Sequence, residues 1–316
     1  MPALIRLAPD LHERVWGGTR LGEGPHPIGE SWVAGPANRI VGGPCAGATL
    51  AEVAGGAPAD LLGTSVAERY GGRVPVLVKL LDASDWLSLQ VHPDDDEAKA
   101  MVGPDAFGKT EAWYVLDARP GATVLAGVRP GTTREDLVAA IRAGSIRDLA
   151  VTVEVRPGDS LVVPAGLLHA VGPGVFLYEL QQASDTTYRI WDWDRRSSPA
   201  RRLHLDESIA VLRPDPPPPP RSRPAISGTG TAELVRCSQF ALELVQVADT
   251  PFSDDTRERS FVVLTVVAGA LTVRKGEQSV ELRRHETVWI AGGAGPFVVE
   301  ATAGPATLLR ASVPPA

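Results

Sequence analysis

The sequence of 316 residues contains only two cysteines, Cys45 and Cys237, and neither belongs to a CxxC pair. Two such distant thiols in a chain of this length do not form a disulfide framework, which indicates a reducing compartment. No apolar run approaches the ~18 residues that a membrane span requires, and the first ten residues lack the apolar region of a signal peptide. We therefore expect a cytoplasmic protein without a membrane partner.

Positive charge is also scarce. The sequence has 31 lysine and arginine residues against 38 acidic residues, which gives a net charge of -7 at pH 7. This balance argues against nucleic acid or an anionic membrane as the partner. An anionic small molecule would have to be held by a local group of basic side chains. The sequence leaves the oligomeric state open.

A proline-rich segment gives the one clear boundary in the chain. The length exceeds the usual size of one hydrophobic core, so we expect two domains. Residues 213–224 read RPDPPPPPRSRP, and consecutive prolines favour an extended, semi-rigid spacer because they lack amide donors and have a fixed φ. We therefore predict an N-terminal domain over 1–212, a linker over 213–224 and a C-terminal domain over 225–316.

Short strand patterns separated by turn signals dominate the N-terminal part. Helix signals occur between Leu50 and Tyr70, and Thr133 is placed to cap a further helix that extends through Ile141. The pattern predicts an all-β fold, a barrel or sandwich with helical insertions. Its clearest strands are expected over 74–81, 123–128 and 175–182.

Two segments of the sequence resemble each other. Residues 156–169 read RPGDSLVVPAGLLH, and residues 283–296 read RRHETVWIAGGAGP. Both place an acidic and a hydroxyl residue before three apolar residues and then a turn that contains glycine. The first segment ends in His169 and the second in Pro296, which cannot bind a metal. We therefore predict two related barrels, the second without a metal site.

Four side chains of the N-terminal part form a candidate metal-binding set, namely Gln90, His92, Glu111 and His169. Gln90 and His92 are two residues apart in LSLQVHPDD, so on a strand they project from the same face. Glu111 begins the strand pattern of GKTEAWYVL, and His169 follows the turn PAGLL. Imidazole and carboxylate ligands suit Zn²⁺, and also Fe²⁺ or Mn²⁺, with room left for substrate. The acidic run Asp94–Asp96 is more typical of a helix cap.

Four ordered motifs carry a resemblance to a known family. QVHPDD, GKTEAWYVL, VPAGLLHAVGPG and YELQQASDTTYRIWDWDR resemble the type I mannose-6-phosphate isomerases, above all their short bacterial form. The similarity runs from about Arg14 to Arg195 and more loosely to the C-terminus. The resemblance implies two cupin-type jelly-roll β-barrels, the first carrying the metal site. It also implies one metal ion per chain, usually zinc, on Gln90, His92, Glu111 and His169.

The resemblance also implies an activity and roles for further residues. The activity is the interconversion of D-mannose 6-phosphate and D-fructose 6-phosphate through an enediol(ate). Lys109 would bind substrate and take part in catalysis, and Glu179 would also bind substrate. Arg189 would stabilise the enediolate or grip the phosphate. For the base, the open choices are Asp185, Glu179 and a metal-bound hydroxide, and the family pattern favours Asp185. The larger relatives often carry histidine immediately before the lysine, where this sequence has Gly108.

Two other functions compete with this interpretation. An iron-dependent bicupin dioxygenase would share the fold, but the Gln-x-His spacing and the GKTE and SDTTYR segments argue against it. A non-catalytic sugar-binding cupin is disfavoured by the complete ligand set and by Arg189. The sequence fixes neither the metal nor the exact sugar phosphate.

Overall fold

The protein is described here by a computed structural model that covers residues 1–22, 25–195 and 201–315. The strands are, in chain order, β1 (Leu4–Leu7), β2 (Asp10–Gly18), β3 (Ile28–Ala34), β4 (Ile40–Val41), β5 (Val76–Asp82), β6 (Leu89–Val91), β7 (Glu111–Ala118), β8 (Thr123–Val128), β9 (Ala150–Glu154), β10 (Ser160–Val163), β11 (His169–Val171), β12 (Val175–Gln182), β13 (Tyr188–Trp191), β14 (Gly230–Arg236), β15 (Ala241–Val247), β16 (Phe252–Asp255), β17 (Val262–Ala268), β18 (Leu271–Lys275), β19 (Gln278–Leu282), β20 (Thr287–Ile290), β21 (Pro296–Ala301) and β22 (Ala306–Ser312). The α-helices are α1 (Leu50–Gly56), α2 (Pro58–Leu62), α3 (Thr64–Tyr70), α4 (Asp95–Met101), α5 (Arg134–Ala143) and α6 (Leu205–Val211), with 3-10 helices at Ile146–Leu149 and Gly292–Ala294. Within these ranges, no helix is both long and apolar enough to span a membrane.

The chain divides into two compact units that differ from the predicted linear domains. Unit 1 consists of Met1–Asp10, Trp32–Lys79 and Arg223–Ala316, and unit 2 consists of Leu11–Ser31 and Leu80–Ser222. The difference arises because strands that are far apart in the sequence pair with each other: β1 pairs antiparallel with β20, and also with β4. The N-terminal strand therefore belongs to the same unit as the C-terminal strands.

The proline-rich segment, which the sequence predicts to be a spacer, instead packs largely within unit 2. Its residues up to Ser222 belong to unit 2. The carbonyl of Asp215 accepts a hydrogen bond from the amide of Val128, and Arg221 forms an isolated β-bridge with Ser160. Prolines cannot donate hydrogen bonds, but the carbonyls and the other residues of this segment still pair with the unit.

Unit 2 is built from two antiparallel sheets. The strand orders are β10-β7-β12-β5-β3-β2, including the parts of β3 and β5 that belong to this unit, and β13-β6-β11-β8-β9. One buried cluster draws Leu81 and Trp113 from the first sheet together with Val124 and Val171 from the second. Helices α5 and α6 pack against the other face of the second sheet. Two sheets around a shared core are the arrangement of a jelly roll, so the all-β prediction with helical insertions is confirmed.

Unit 1 has a similar construction. Its sheets have the strand orders β14-β15-β22-β17-β20-β1-β4 and β16-β21-β18-β19, and both contribute to one apolar core. The predicted repeat is visible in the strand limits. Ser160–Val163 and Thr287–Ile290 form corresponding strands, and His169 and Pro296 each begin the strand that follows. In the described residues, the one cluster of three or more metal-ligand side chains lies in unit 2.

The helix caps follow the sequence signals. Thr133 caps α5 in a capping box with Asp136, and Asp94 caps α4 in a second box with Glu97. In each box the cap side chain accepts a hydrogen bond from the N3 amide while the N3 carboxylate accepts one from the cap amide. The second box fixes the chain two residues beyond His92.

Candidate metal centre

Gln90 lies at the centre of the candidate site, between two neighbouring strands. On one side it is directly opposite His169 of β11, and on the other side it is directly opposite Arg189 of β13. Residues directly opposite each other in an antiparallel sheet project from the same face. The sheet therefore presents an amide, an imidazole and a guanidinium side by side.

His92 and Glu111 lie at the ends of two strands, and the first of these is the strand that carries Gln90. His92 immediately follows β6, and Glu111 is the first residue of β7 in the facing sheet. The amide of Lys109 donates a hydrogen bond to the carbonyl of Pro93, which holds the two segments together. The site is thus assembled from both sheets of unit 2.

The candidate ligand atoms converge on one buried point. The Nε2 atoms of His92 and His169 lie 3.1 Å apart. Oε1 of Glu111 is 3.3 Å from the first and Oε2 is 3.8 Å from the second. All three side chains are about 1% exposed. Nε2 of Gln90 lies 3.2 Å from Nε2 of His169, so ligation through the Gln90 oxygen requires its amide to rotate.

Backbone carbonyls determine which nitrogen of each histidine faces this point. Nδ1 of His92 lies 2.9 Å from the carbonyl of Thr186, and Nδ1 of His169 lies 2.9 Å from the carbonyl of Leu167. A carbonyl only accepts hydrogen bonds, so each Nδ1 carries the proton and each Nε2 keeps its lone pair. This is the usual way in which proteins orient metal-binding histidines.

The charge of the site also fits a cation. Burial, with a further contribution from Lys109, lowers the pKa of His92 to about 3. Burial likewise lowers the pKa of His169. Burial alone would raise the pKa of Glu111, but Lys109 and His92 outweigh it and hold that pKa well below its ordinary value. Two neutral imidazoles and one carboxylate are the donors that a divalent metal requires.

One ligand atom lacks a normal partner. Oε1 of Glu111 is fully buried and accepts no hydrogen bond of normal geometry from any described residue. It has ionic contacts only, with Nζ of Lys109 at 3.0 Å and with His92. Buried polar atoms are nearly always satisfied, so this oxygen fits a role as a metal ligand.

Trp113 links Glu111 to Glu179. Its indole Nε1 lies 3.2 Å from Oε2 of Glu111 and 2.9 Å from Oε2 of Glu179. The three residues share a face because Trp113 is two residues after Glu111 and directly opposite Glu179 on β12. Glu179 is therefore a buried neighbour of the site, one side chain away from the ligand set.

Lys109 is buried beside the candidate ligands. Its Nζ lies 3.3 Å from Nε2 of His92 and 3.5 Å from the hydroxyl of Thr187. The preceding residue has no room for a side chain, because a Cβ on Gly108 would lie 2.5 Å from the backbone of Asp94. A histidine at this position is thus sterically excluded from this backbone.

Arg189 and Asp185 lie at the margin of the site. Arg189 is half-buried, its Nε donates a hydrogen bond to no described residue, and one terminal nitrogen donates to the carbonyl of Arg202 at 3.2 Å. Burial and the nearby Arg201 lower its pKa. Asp185 is exposed on the loop between β12 and β13. No contact among the described residues joins its carboxylate to the ligand set, although Thr186 and Thr187 of the same loop do reach the site.

The sequence reasoning missed the residues that orient the ligands. Trp113 could have been recognised from the sequence, because it lies two residues after Glu111 on the same predicted strand, within the motif GKTEAWYVL. The carbonyls of Thr186 and Leu167 could not, because a backbone group has no sequence signature.

Comparisons with known proteins point to one family. Residues 4–117 match the family described as phosphomannose isomerase type I, catalytic domain. The chain is 32% identical over 305 residues to the mannose-6-phosphate isomerase ManA of Bacillus subtilis, and the alignment covers 92% of this chain and 94% of that protein. It is 33% identical over 296 residues to the mannose-6-phosphate isomerase of Streptococcus mutans, with 89% and 90% covered.

Solved structures are similar over nearly the whole chain. The crystal structure of the mannose 6-phosphate isomerase from Bacillus subtilis matches with a TM-score of 0.86 at 27% identity, covering 98% of this chain and 99% of that chain. A variant of phosphomannose isomerase from Salmonella typhimurium matches with a TM-score of 0.78 at 20% identity, covering 98% and 99%. At that lower identity the likeness extends to the fold alone.

Proposed function

Because the chain belongs to the type I phosphomannose isomerase family, we propose that it interconverts D-mannose 6-phosphate and D-fructose 6-phosphate. The observation that carries this proposal is the buried convergence of two imidazole Nε2 atoms and the Glu111 carboxylate. The reaction is an aldose–ketose isomerisation, in which a proton moves between C2 and C1 through an enediol(ate).

The metal is assigned to Gln90, His92, Glu111 and His169, and we propose zinc as the native ion with one ion per chain. Nitrogen and oxygen donors of this kind are common zinc ligands, although other divalent ions accept them as well. A metal held by these residues would supply Lewis acidity to the oxygens on C1 and C2 of the open-chain sugar.

Lys109 and Arg189 provide the cationic surroundings that an enediolate and a phosphate need. Lys109 is fixed by Glu111, and its ammonium group can donate to a substrate oxygen next to the ligand set. Arg189 is charged and carries a fork of donors suited to phosphate or an enediolate oxygen. Its free Nε and its position opposite Gln90 support this role.

The base is assigned to Asp185, with Glu179 as the second candidate. Asp185 follows the family pattern, and its loop contributes the Thr186 carbonyl that contacts His92. The Asp185 carboxylate is exposed and can exchange a proton with water. Glu179 is buried and holds Trp113, which favours a role in binding and orientation.

The competing functions receive no support from the relatives that this chain matches. The two curated relatives described above are each named as a mannose-6-phosphate isomerase, and neither is named as a dioxygenase or a sugar-binding protein. We also propose a cytoplasmic location, on the two unpaired cysteines.

A substrate panel tests the proposed reaction. We would supply mannose 6-phosphate and mannose to the metal-loaded protein and to Arg189→Met, and follow the ketose product by an enzyme-coupled assay. We expect turnover of the phosphorylated sugar only, and a large loss in the Arg189→Met protein. Turnover of mannose, without turnover of mannose 6-phosphate, would overturn the proposed substrate.

A further inference from the structure

Arg213 joins two loops that precede or follow the candidate metal ligands. Its guanidinium donates to the carbonyl of Ala165 at 2.7 Å through one terminal nitrogen. Through the other terminal nitrogen it donates to Asp94 Oδ2 at 2.7 Å and to Glu97 Oε1 at 3.2 Å. All of these residues belong to unit 2.

The first loop is the turn that leads into His169. The amide of Arg213 donates to the carbonyl of Gly166 at 2.9 Å. Gly166 has a φ of 84°, and a Cβ added there would lie 2.6 Å from the Arg213 guanidinium. The residue after it, Leu167, supplies the carbonyl that orients the His169 ring. Arg213 therefore packs against the turn whose carbonyl orients the His169 ring.

The second loop leads from His92 into α4. Asp94 caps that helix only two residues after His92, and Pro93 between them is conformationally restricted. The carbonyl of His92 also accepts a hydrogen bond from the amide of Gly166 at 2.8 Å. The backbones that carry the two histidines thus contact each other directly, and Arg213 joins the flanking residues on either side.

The proline-rich segment places Arg213 for this contact. Helix α6 ends at Val211, and Pro214 disfavours helical backbone at the residue before it. Arg213 is consequently held in extended chain, and the following residues are anchored through Asp215 and Arg221. The segment thus holds Arg213 in contact with both loops.

We propose that Arg213 is a positioning residue for the metal site, which fixes the separation of His92 and His169 without touching metal or substrate. This inference rests on the proposed metal site. Each carboxylate contact is partly exposed and contributes little stability on its own. The effect expected of Arg213 is geometric, because a planar guanidinium bridges a carbonyl and two carboxylates at once, whereas lysine presents a single point charge.

The test compares Arg213→Met and Arg213→Lys with the wild-type chain and with Arg221→Met. Arg221 is an exposed residue of the same segment, and its β-bridge to Ser160 uses backbone groups that the substitution retains. Zn²⁺ affinity is measured by competition with a chromophoric chelator at a temperature where thermal unfolding shows every variant folded. The kcat and KM for mannose 6-phosphate are then measured at saturating Zn²⁺.

We expect Arg213→Met to weaken Zn²⁺ binding by roughly 10-fold, the lower end of the range for losing a direct partner of a metal ligand, because Arg213 acts through the flanking loops. Arg213→Lys should fall in between, and Arg221→Met should match the wild type. Wild-type affinity in a folded Arg213→Met protein overturns the proposal. If that variant fails to fold, wild-type affinity in Arg213→Lys does so.

The failure of the inference can be distinguished from failure of the proposed function. A wild-type chain that binds no Zn²⁺ and has no turnover overturns the metal site itself and this inference with it. A wild-type chain that binds Zn²⁺ and turns over, next to Arg213 variants of unchanged affinity, overturns only the role of Arg213.

Discussion

The Nε2 atoms of His92 and His169 lie 3.1 Å apart, although the two residues are separated by 77 positions in the sequence. The orientation of both nitrogens is fixed, because the other nitrogen of each ring contacts a backbone carbonyl. Two lone pairs directed at one buried point, beside a carboxylate, form the basis of the predictions that follow.

The first prediction concerns the loss of a ligand. His169→Ala removes one of the converging nitrogens, so we expect metal affinity to fall by more than about a hundredfold, beyond the usual effect of losing an outer partner. Chelator competition measures the affinity. His26→Ala, at an exposed position, is the matched control and should bind metal as the wild type does. Equal affinities in the two variants would exclude His169 as a ligand.

A second prediction concerns pH. A histidine of ordinary pKa, about 6.5, would lose roughly tenfold in metal affinity between pH 7.5 and 5.5 through competition with protons. The pKa of His92 is lowered to about 3 and that of His169 is also lowered, in both cases first by burial. A depressed pKa leaves the ring neutral until the pH falls towards that value, so competition begins only at lower pH.

We therefore expect the affinity for metal to fall by less than about tenfold in total over that range. The measurement is chelator competition at several pH values, corrected for the protonation of the chelator. A fall of about a hundredfold, the value for two ordinary histidines, would contradict the burial argument.

The third prediction concerns Lys109 and Glu111, whose Nζ and Oε1 atoms lie 3.0 Å apart in a buried position. Lys109→Met leaves the Glu111 charge without its main partner, which typically costs about 3–5 kcal/mol. We expect this loss in the chelator-treated protein, and a clearly smaller loss after Zn²⁺ is added, because the ion restores positive charge next to Glu111.

Chemical unfolding with and without Zn²⁺ measures the two free energies for Lys109→Met. Lys99→Met, at an exposed lysine of α4, is the control and should change neither value appreciably. An equal loss for Lys109→Met in both conditions would mean that no cation shares the carboxylate.

The fourth prediction concerns the base. Asp185→Asn keeps the size of the side chain and removes its ability to accept a proton, so turnover should fall by roughly 10²- to 10⁴-fold. Metal affinity should stay unchanged, since the Asp185 side chain is exposed. Steady-state kinetics at saturating metal provide the measurement. Near-normal turnover would remove Asp185 from the mechanism and make Glu179 the next residue to substitute.

The sequence was most informative where chemistry coincides with strand periodicity. Gln90 with His92, and Lys109 with Glu111, are pairs two residues apart. The ordered motifs around them led to four candidate ligands, of which His92, Glu111 and His169 form a buried cluster and Gln90 contacts His169. Strand limits such as Thr123–Val128 and Val175–Gln182 were also predictable, because turn residues bound these apolar runs on both sides.

The division into units and the role of Arg213 could not be predicted in this way. The pairing of β1 with β20 is non-local, and no pattern within either strand specifies it. Arg213 precedes a run of prolines, which locally favours an extended spacer. Its hydrogen bonds to Ala165 and Asp94 depend on how distant segments pack, and local sequence does not report that packing.

The most direct test of the account is the formation of fructose 6-phosphate from mannose 6-phosphate, followed in a coupled assay before and after metal removal. Protein stripped with a chelator should lose activity, and added Zn²⁺ should restore it in proportion to the metal bound at up to one ion per chain. Full activity in demonstrably metal-free protein, or no activity in the fully loaded protein, would contradict the account.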